Sequence, residues 1–208
     1  MPFTPRLLLL LLLLSMTLSP FGTAPARAAD SPIGYILGGS LNSPIRIEVF
    51  SNFQCGACRV LFLETIQPIL REYSSKDKVC VIYYEFPLSY FPLAHEAARY
   101  SEAASRMGLS TLLRLIETFY LNQDDWGQSG DLAAAAAKVL SANDMGTLRR
   151  IMQDPGINDA VEKHYRFGMQ KNIGSTPTMF ITYPGRNQKV EGVVSYQVMK
   201  RFLDSILK

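Results

Sequence analysis

The sequence predicts an α/β domain in which a βαβ unit and a ββα unit are separated by an all-helical insertion. Two strand-like runs enclose one amphipathic helix within residues 45–84, helical periodicity fills residues 92–173, and a hairpin with a final helix follows. No internal repeat or low-complexity linker divides these parts. We therefore predict one domain over residues 45–208, with the helical insertion at about residues 92–173.

The first 28 residues are predicted to be a cleaved signal peptide. Arg6 supplies a positive charge, Leu7–Leu14 is an unbroken leucine run, and Ala26-Arg27-Ala28 ends in a small-x-small pattern. The alternative is a retained membrane anchor, but the apolar stretch is shorter than the roughly 20 residues that span a bilayer. We expect a periplasmic or other extracytoplasmic location, with residues 29–44 as a short N-terminal extension of the domain.

Charge and compartment limit the function classes. Loss of the signal peptide removes Arg6 and Arg27, so the formal net charge of +3 becomes +1. A nearly neutral surface gives no reason to expect a nucleic-acid partner. In an oxidising compartment, two neighbouring cysteines indicate a disulfide or a disulfide catalyst more than a zinc site.

The βαβ unit is the first part of the predicted fold. Ile45–Phe50 and Val79–Tyr84 are rich in β-branched and aromatic residues, and the second run is apolar on both faces, as in a buried strand. Between them an apolar stripe predicts a helix from Ala57 to about Tyr73, with a kink at Pro68, where a backbone hydrogen bond is lost. These lengths favour parallel strands with a right-handed crossover.

The helical insertion and the ββα unit complete the domain. Apolar faces recur along residues 92–173, with a break at Pro155-Gly156 before a last helix. Thr178–Tyr183 and Lys189–Val193 flank the turn residues Pro184–Asn187 and are predicted to pair as a hairpin. A terminal helix is predicted from one apolar side made of Val198, Met199, Phe202, Leu203, Ile206 and Leu207.

The motif Cys55-Gly56-Ala57-Cys58 carries most of the functional information. It follows the first strand and opens the helix, so the sulfurs at i and i+3 lie on one helical face, close enough to form a disulfide. The unpaired N–H groups and the dipole of a helix N-terminus favour the reactive thiolate form of Cys55. By itself, the motif indicates either a redox site or a metal site.

Four segments, in this order along the chain, resemble the DsbA-like branch of the thioredoxin superfamily. They are Phe50–Cys58, Glu85–Leu88, the alanine-rich start of the helical insertion, and Ser175–Thr178. The resemblance covers nearly the whole chain after the predicted signal peptide. It implies a thioredoxin-like fold, βαβ then ββα, interrupted by the helical insertion.

The resemblance also implies the roles of the site residues. Cys55 is the attacking thiol and Cys58 the resolving thiol, and burial one turn into the helix is expected to raise the pKa of Cys58. The redox-active Cys55–Cys58 disulfide takes the place of a cofactor, and no metal is expected. The Thr176–Pro177 bond is expected to be cis and to face the cysteines, where the Thr176 backbone can pair with an extended substrate.

Two positions depart from the pattern of the branch. Gly56-Ala57 contains no histidine that could stabilise the Cys55 thiolate. Val49 stands where many relatives carry a buried acid, and the neighbouring Glu48 points to the opposite face of the strand. We interpret Glu48 as a charge at a strand edge, with a displaced proton relay as the alternative.

The remaining cysteine and the histidines are interpreted as structural. Cys80 lies among apolar residues in a strand and is expected to be a buried, inert thiol. His164 and His95 are expected to be packed or surface residues. No second cysteine pair accompanies Cys55 and Cys58, so a structural zinc site is not predicted.

These observations predict an exported, monomeric thiol–disulfide oxidoreductase that introduces disulfides into other proteins. Its expected partners are unfolded exported proteins with free thiols and a membrane quinone-linked thiol oxidase that restores the disulfide. A monomeric reductase or isomerase of the same fold is the alternative within this class. A non-catalytic metal-binding or chaperone-like module is the alternative outside it.

Overall fold

A computed structural model of the chain describes Met1 and residues 33–208. The predicted signal peptide therefore lies outside the described residues, apart from Met1. Among the described residues, no helix is both long enough and apolar enough to cross a membrane.

A single mixed sheet of five strands forms the centre of residues 33–208, with the order β1-β3-β2-β4-β5. Its strands are β1 (Tyr35–Gly38), β2 (Ile45–Ser51), β3 (Val79–Glu85), β4 (Thr178–Tyr183) and β5 (Arg186–Glu191). The pair β2 and β3 is parallel, as the βαβ prediction requires, and the other neighbouring pairs are antiparallel. The thioredoxin-like βαβ and ββα units therefore share one sheet, which confirms the predicted fold class.

Strand β1 was not predicted. It lies within residues 29–44, which we expected to be an extension outside the domain, and it pairs antiparallel with β3 at the edge of the sheet. The predicted domain start at residue 45 is therefore too late. A strand of four residues, Tyr35–Gly38, is too short to show a clear alternation in the sequence.

The helix after β2 has three parts. It begins as α1 (Gly56–Leu61), widens into a π-helical turn at Phe62–Ile66, and continues as α2 (Gln67–Glu72). Pro68 lacks the N–H that an α-helix would offer to the carbonyl of Glu64, four residues earlier. The predicted irregularity is present, but it takes the form of a π-helical turn that ends just before Pro68.

Helices fill the segment between β3 and β4, as predicted for the insertion at about residues 92–173. They are α3 (Ala94–Arg106), α4 (Leu109–Leu121), α5 (Gln123–Ser129), α6 (Leu132–Ala137), α7 (Ala142–Met152) and α8 (Gly156–Gln170), and α9 (Tyr196–Ile206) ends the domain. In the hairpin, β5 begins three residues earlier than predicted. Tyr183 pairs with Arg186 across Pro184 and Gly185, and Gly185 has a φ of 72°, which glycine adopts without strain.

Alternation along β2 and β3 divides the core into two clusters. Val49 and Tyr83 point to the larger cluster, which contains Cys58 and helices of the insertion. Phe50, Tyr84 and the other residues of the smaller cluster point to the opposite face, where Phe167 of α8 covers them. The active-site motif therefore packs on one face of the sheet only.

Candidate active site

The two motif cysteines lie where strand β2 passes into helix α1. Cys55 occupies the N-cap position of α1, and Cys58 lies one turn into the helix. Cys58 is fully buried, whereas Cys55 is 8% exposed. The cysteines are not bonded to each other, so the geometry is that of the dithiol form. Cys55 is the more accessible of the two, although it is more covered than the sequence suggested.

Local donors stabilise the Cys55 thiolate. A hydrogen bond from Cys58 contributes most, followed by the Thr176 side chain and the backbone N–H groups of Cys58 and Ala57, and together they lower the pKa of Cys55 to about 6 against the opposing effect of burial. The backbone donors are the open N–H groups of the helix start. Gly56 and Ala57 are exposed and add no polar side chain. The pKa of Cys55 is therefore lowered without a histidine, but the Cys58 hydrogen bond contributes more to this than the helix start from which it was predicted.

Cys58 has the opposite environment. Burial raises its pKa well above the ordinary value, and the neighbouring Cys55 raises it further. The hydroxyl of Ser51 and the backbone N–H of Asn52, which lies 3.5 Å from Cys58 Sγ, act in the other direction. Near neutral pH, the pair therefore consists of a Cys55 thiolate and a Cys58 thiol. This asymmetry is what the roles of attacking and resolving thiol require.

The segment before β4 faces Cys55. The Thr176–Pro177 peptide bond is cis, as the resemblance implies. The Cys55 thiol is 3.3 Å from the Thr176 carbonyl, to which it can donate, and the Pro177 carbonyl accepts a 2.8 Å hydrogen bond from Gly192 N–H. Cys55 and Thr176 are 121 positions apart in the chain, and the fold brings Cys55 beside Thr176 and Pro177.

The helical insertion holds the active-site loop through contacts that were not predicted from the sequence. The Gln123 side-chain amide of α5 donates to the carbonyls of Phe53 and Cys55, at 2.5 and 3.1 Å. The Gln54 side-chain carbonyl accepts a 2.6 Å bond from Leu93 N–H, just before α3. These partners lie 39 to 70 positions apart, so no local pattern could have identified them.

Glu48 is not a charge at a strand edge, and that interpretation is wrong. It lies 5% exposed in a strand that has neighbours on both sides, and Lys171 Nζ binds its carboxylate at 3.1 Å. Tyr84 donates a further bond of 3.3 Å to Glu48. Because Glu48 and Val49 alternate along β2, Val49 faces the Cys58 side and Glu48 faces away from it.

Cys80 and His164 lie in the core, away from the two active-site sulfurs. Cys80 is fully buried in the smaller cluster on the opposite face of the sheet, and burial raises its pKa. His164 Nδ1 accepts from Glu85 N–H at 3.2 Å, so its Nε2–H donates to the Ile33 carbonyl at 2.7 Å. His95 is half exposed and lies 3.7 Å from Glu162. Among the described residues, no group of three or more His, Cys, Asp or Glu side chains is arranged to hold a metal ion.

Comparisons with known proteins agree with this geometry. A family model described as Thioredoxin matches residues 33–205. A search of curated proteins finds no match. Among solved structures, alpha-DsbA1 of Wolbachia pipientis is 17% identical with a TM-score of 0.65, and the match covers 81% of this chain and 88% of that one.

Two further solved structures are similar to the same extent. BdbD of Bacillus subtilis, in its oxidised form, is 20% identical with a TM-score of 0.66, over 81% of this chain and 90% of that one. DsbA2 of Pseudomonas aeruginosa is 19% identical with a TM-score of 0.60, over 81% and 91% of the two chains. At these identities the likeness establishes the fold, and the family match with the paired cysteines supports a thiol–disulfide oxidoreductase. The chain therefore belongs to the thioredoxin family and has its DsbA-like fold, in which a helical insertion separates the two halves of the domain.

Proposed function

We propose that this protein is an exported thiol–disulfide oxidoreductase that introduces disulfides into other proteins by exchange at Cys55 and Cys58. The observation that carries the proposal is the difference between the two thiols. The pKa of Cys55 is lowered to about 6, whereas the pKa of buried Cys58 is raised. Only one of the two cysteines is therefore a thiolate near neutral pH, and it is the one beside Thr176.

The exchange has two steps. A substrate thiolate attacks Cys55 Sγ of the disulfide form, and the electron pair of the Cys55–Cys58 bond leaves on Cys58, which then takes up a proton. A second substrate thiolate attacks the substrate sulfur of this mixed disulfide and releases Cys55 as a thiolate. The substrate loses two electrons and gains a disulfide, and the protein is left as the dithiol.

Thr176 and Pro177 are proposed to bind the substrate. Thr176 is partly exposed beside Cys55, so an extended chain that enters there can present a cysteine to Cys55 Sγ. Main-chain contacts of this kind accept many sequences, which suits a catalyst that acts on diverse unfolded proteins.

Thiolate stabilisation favours the oxidising direction. Lowering the pKa of Cys55 from 9.0 to about 6 stabilises the dithiol form at neutral pH, so the disulfide form is the better oxidant. A reductase or isomerase is the second candidate, because a pKa of about 6 is close to the value of about 7 known for thioredoxin. The pair's reduction potential distinguishes the two candidates.

The decisive experiment equilibrates the Cys55/Cys58 pair with glutathione buffers and measures the dithiol fraction by alkylation. We expect a potential near those of the oxidising members of the superfamily, roughly −120 mV, and catalysed formation of disulfides in a reduced, unfolded substrate. Cys55→Ser is expected to abolish both the exchange with glutathione and the catalysed disulfide formation, whereas Cys80→Ala should keep both. A potential near that of thioredoxin, roughly −270 mV, would support the reductase instead.

The compartment and partners belong to the same proposal. The leucine-rich N-terminal segment supports export. A structure of similar fold, described as a periplasmic thioredoxin-like protein from Salmonella enterica serovar Typhimurium, is 16% identical with a TM-score of 0.61. We expect a periplasmic monomer that acts on unfolded exported proteins and is reoxidised by a membrane quinone-linked thiol oxidase.

A further inference from the structure

Three buried hydroxyl groups form a continuous chain that starts beside Cys58. Ser51 Oγ lies 2.8 Å from Tyr120 Oη, which lies 2.7 Å from Tyr83 Oη. The three side chains are at most 1% exposed. The Ser51 hydroxyl acts to lower the pKa of Cys58, and the N–H of the next residue, Asn52, lies 3.5 Å from Cys58 Sγ. We call Ser51, Tyr120 and Tyr83 the hydroxyl chain.

The hydroxyl chain is assembled from separate elements. Ser51 ends β2, Tyr83 belongs to β3, and Tyr120 comes from α4 in the helical insertion. Ser51 and Tyr83 project from the same face of the sheet as Val49, toward the cluster that holds Cys58. The insertion therefore contributes an oxygen to the surroundings of the resolving cysteine.

The number of hydrogens fixes the direction of the hydroxyl chain when Cys58 carries a negative charge. Each hydroxyl has one proton to donate, and a thiolate can only accept. If Ser51 donates to Cys58 Sγ, Tyr120 must donate to Ser51, and Tyr83 must donate to Tyr120. The three O–H bonds then point toward the sulfur, and such aligned bonds strengthen one another in a buried setting.

We propose that the hydroxyl chain stabilises the negative charge that develops on Cys58 Sγ while the disulfide opens or closes. This inference rests on the proposed exchange at Cys55 and Cys58. Ser51 is the member of the chain that acts directly on Cys58. Tyr120 and Tyr83 are positioning residues that act through Ser51.

In this part of the core, neutral hydrogen-bond donors rather than charged groups are placed to stabilise a negative charge on Cys58 Sγ. Val49 places no charge on this face, and the Asn52 N–H is at the long distance of 3.5 Å from Cys58 Sγ. Glu85 of β3 acts electrostatically on Tyr83 and Tyr120, Cys58 acts on Tyr120, and Cys55 of α1 acts on Cys58 itself. Burial raises the pKa of Glu85 well above its usual range, which favours the neutral carboxyl over a carboxylate that would oppose a thiolate.

The chemical step requires no further reactant. When a substrate thiolate bonds to Cys55 Sγ, the Cys55–Cys58 bond breaks, and its electron pair becomes the Cys58 thiolate. The hydroxyl chain accepts the charge by hydrogen bonding alone, and its three protons stay on their oxygens. Closure is the reverse: the Cys58 thiolate attacks Cys55 Sγ, and the substrate thiolate leaves.

The kinetic test uses Ser51→Ala, Tyr120→Phe and Tyr83→Phe. The rates at which glutathione opens the disulfide, and at which the mixed disulfide closes, are measured by stopped-flow fluorescence. We expect both rates to fall about tenfold in Ser51→Ala and about threefold in each tyrosine variant, because a hydrogen bond to a forming charge is lost or weakened. The equilibrium constant with glutathione should change less than about twofold, since Cys58 is a neutral thiol in the resting dithiol.

Tyr84→Phe is the matched control. Tyr84 follows Tyr83 in β3 and is equally buried, but its hydroxyl lies on the opposite face of the sheet and bonds Glu48. Its removal should leave both rates unchanged. An equal loss of rate in Tyr84→Phe and Tyr83→Phe would show a general packing effect and would overturn the proposal.

A second measurement does not depend on the proposed function. In a Cys55→Ser background, the ¹³Cβ chemical shift of labelled cysteine reports the ionisation of Cys58, and only Cys80 remains besides it. The pKa of Cys58 should rise when Ser51→Ala or Tyr120→Phe is added. Unchanged values in both variants overturn the hydroxyl chain. A raised pKa in a protein that does not exchange with glutathione supports the chain while rejecting the proposed function.

Discussion

At the scale of single residues, one helical turn creates the difference between the two motif cysteines. Cys55, at the N-cap of α1, faces open backbone N–H groups, whereas Cys58 is enclosed by the core. The exposed Gly56 and Ala57 contribute only backbone to this difference. The strongest single influence on Cys55 is its hydrogen bond with Cys58, and Cys55 in turn adds to the effect of burial on Cys58.

The first prediction concerns the reactivity of Cys55. Its alkylation rate by iodoacetamide should rise with pH and level off above a midpoint of about 6, because the thiolate is the reactive form. In Cys58→Ala the midpoint should move toward the ordinary value of 9.0, since the largest stabilising bond is lost. Cys80→Ala serves as the control and should keep the wild-type midpoint. A wild-type midpoint near 9 would contradict this description.

The sequence predicts Cys55 and Cys58 as the reactive residues, but it predicts only part of their surroundings. The position of Cys55 at a helix start and the opposed directions of Glu48 and Val49 follow from local geometry. The burial of Glu48 does not, because it depends on strand β4 and Lys171, which are distant in the chain. Ser51 and Tyr120 are in contact only because the sheet and the insertion pack together.

At the scale of elements, helix α8 packs closely on the sheet through a glycine. A methyl group at Gly168 would lie 2.5 Å from the Phe86 ring and 3.3 Å from the Phe50 ring. Both rings belong to the smaller core cluster, so neither can move freely. The absence of a side chain at Gly168 therefore allows α8 to approach the sheet.

The second prediction tests this close approach. Gly168→Ala should lower the free energy of unfolding by about 1–3 kcal/mol through overpacking, despite the better helix propensity of alanine. Gly146→Ala in α7 is the matched control, because nothing lies within 4 Å of an added methyl group there. The control should be neutral or stabilising by up to about 1 kcal/mol. Urea unfolding measures both, and equal effects would argue against close packing at Gly168.

Elements with long periodic patterns were predictable, and short ones were not. The strands β2 and β3, the helical insertion and α9 follow from patterns of six residues or more. Strand β1 has only four residues and depends on pairing with β3, so no local signal marks it. The π-helical turn replaces a simple kink because the helix adapts ahead of Pro68.

At the scale of the whole molecule, His164 connects distant parts of the chain. From α8 it bonds the backbone of Glu85 at the end of β3 and the carbonyl of Ile33 before β1. Burial lowers its pKa to about 4, so it is neutral in the folded protein near neutral pH. Protonation would remove the acceptor that Nδ1 offers to the Glu85 N–H.

The third prediction follows from this shift. The unfolded chain binds a proton at His164 below its ordinary pKa of 6.5, whereas the folded protein does so only near 4. The folded state is therefore favoured above pH 6.5 and loses about 3 kcal/mol as the pH falls from 6.5 to 4. Urea unfolding across this range should show that much more loss in the wild type than in His164→Gln. Parallel curves for the two proteins would contradict the buried, neutral state.

The sequence by itself determined the redox motif, the βαβ–insertion–ββα order and the thioredoxin-like fold, because these depend on local spacing and on the periodicity of burial. Only the tertiary structure decided which residues surround the motif. It brings Thr176 to Cys55, lets Gln123 hold the active-site loop, and aligns Ser51 with Tyr120 and Tyr83 behind Cys58. These contacts join residues between 37 and 121 positions apart, and most of them are made by Gln123 and Tyr120 of the insertion.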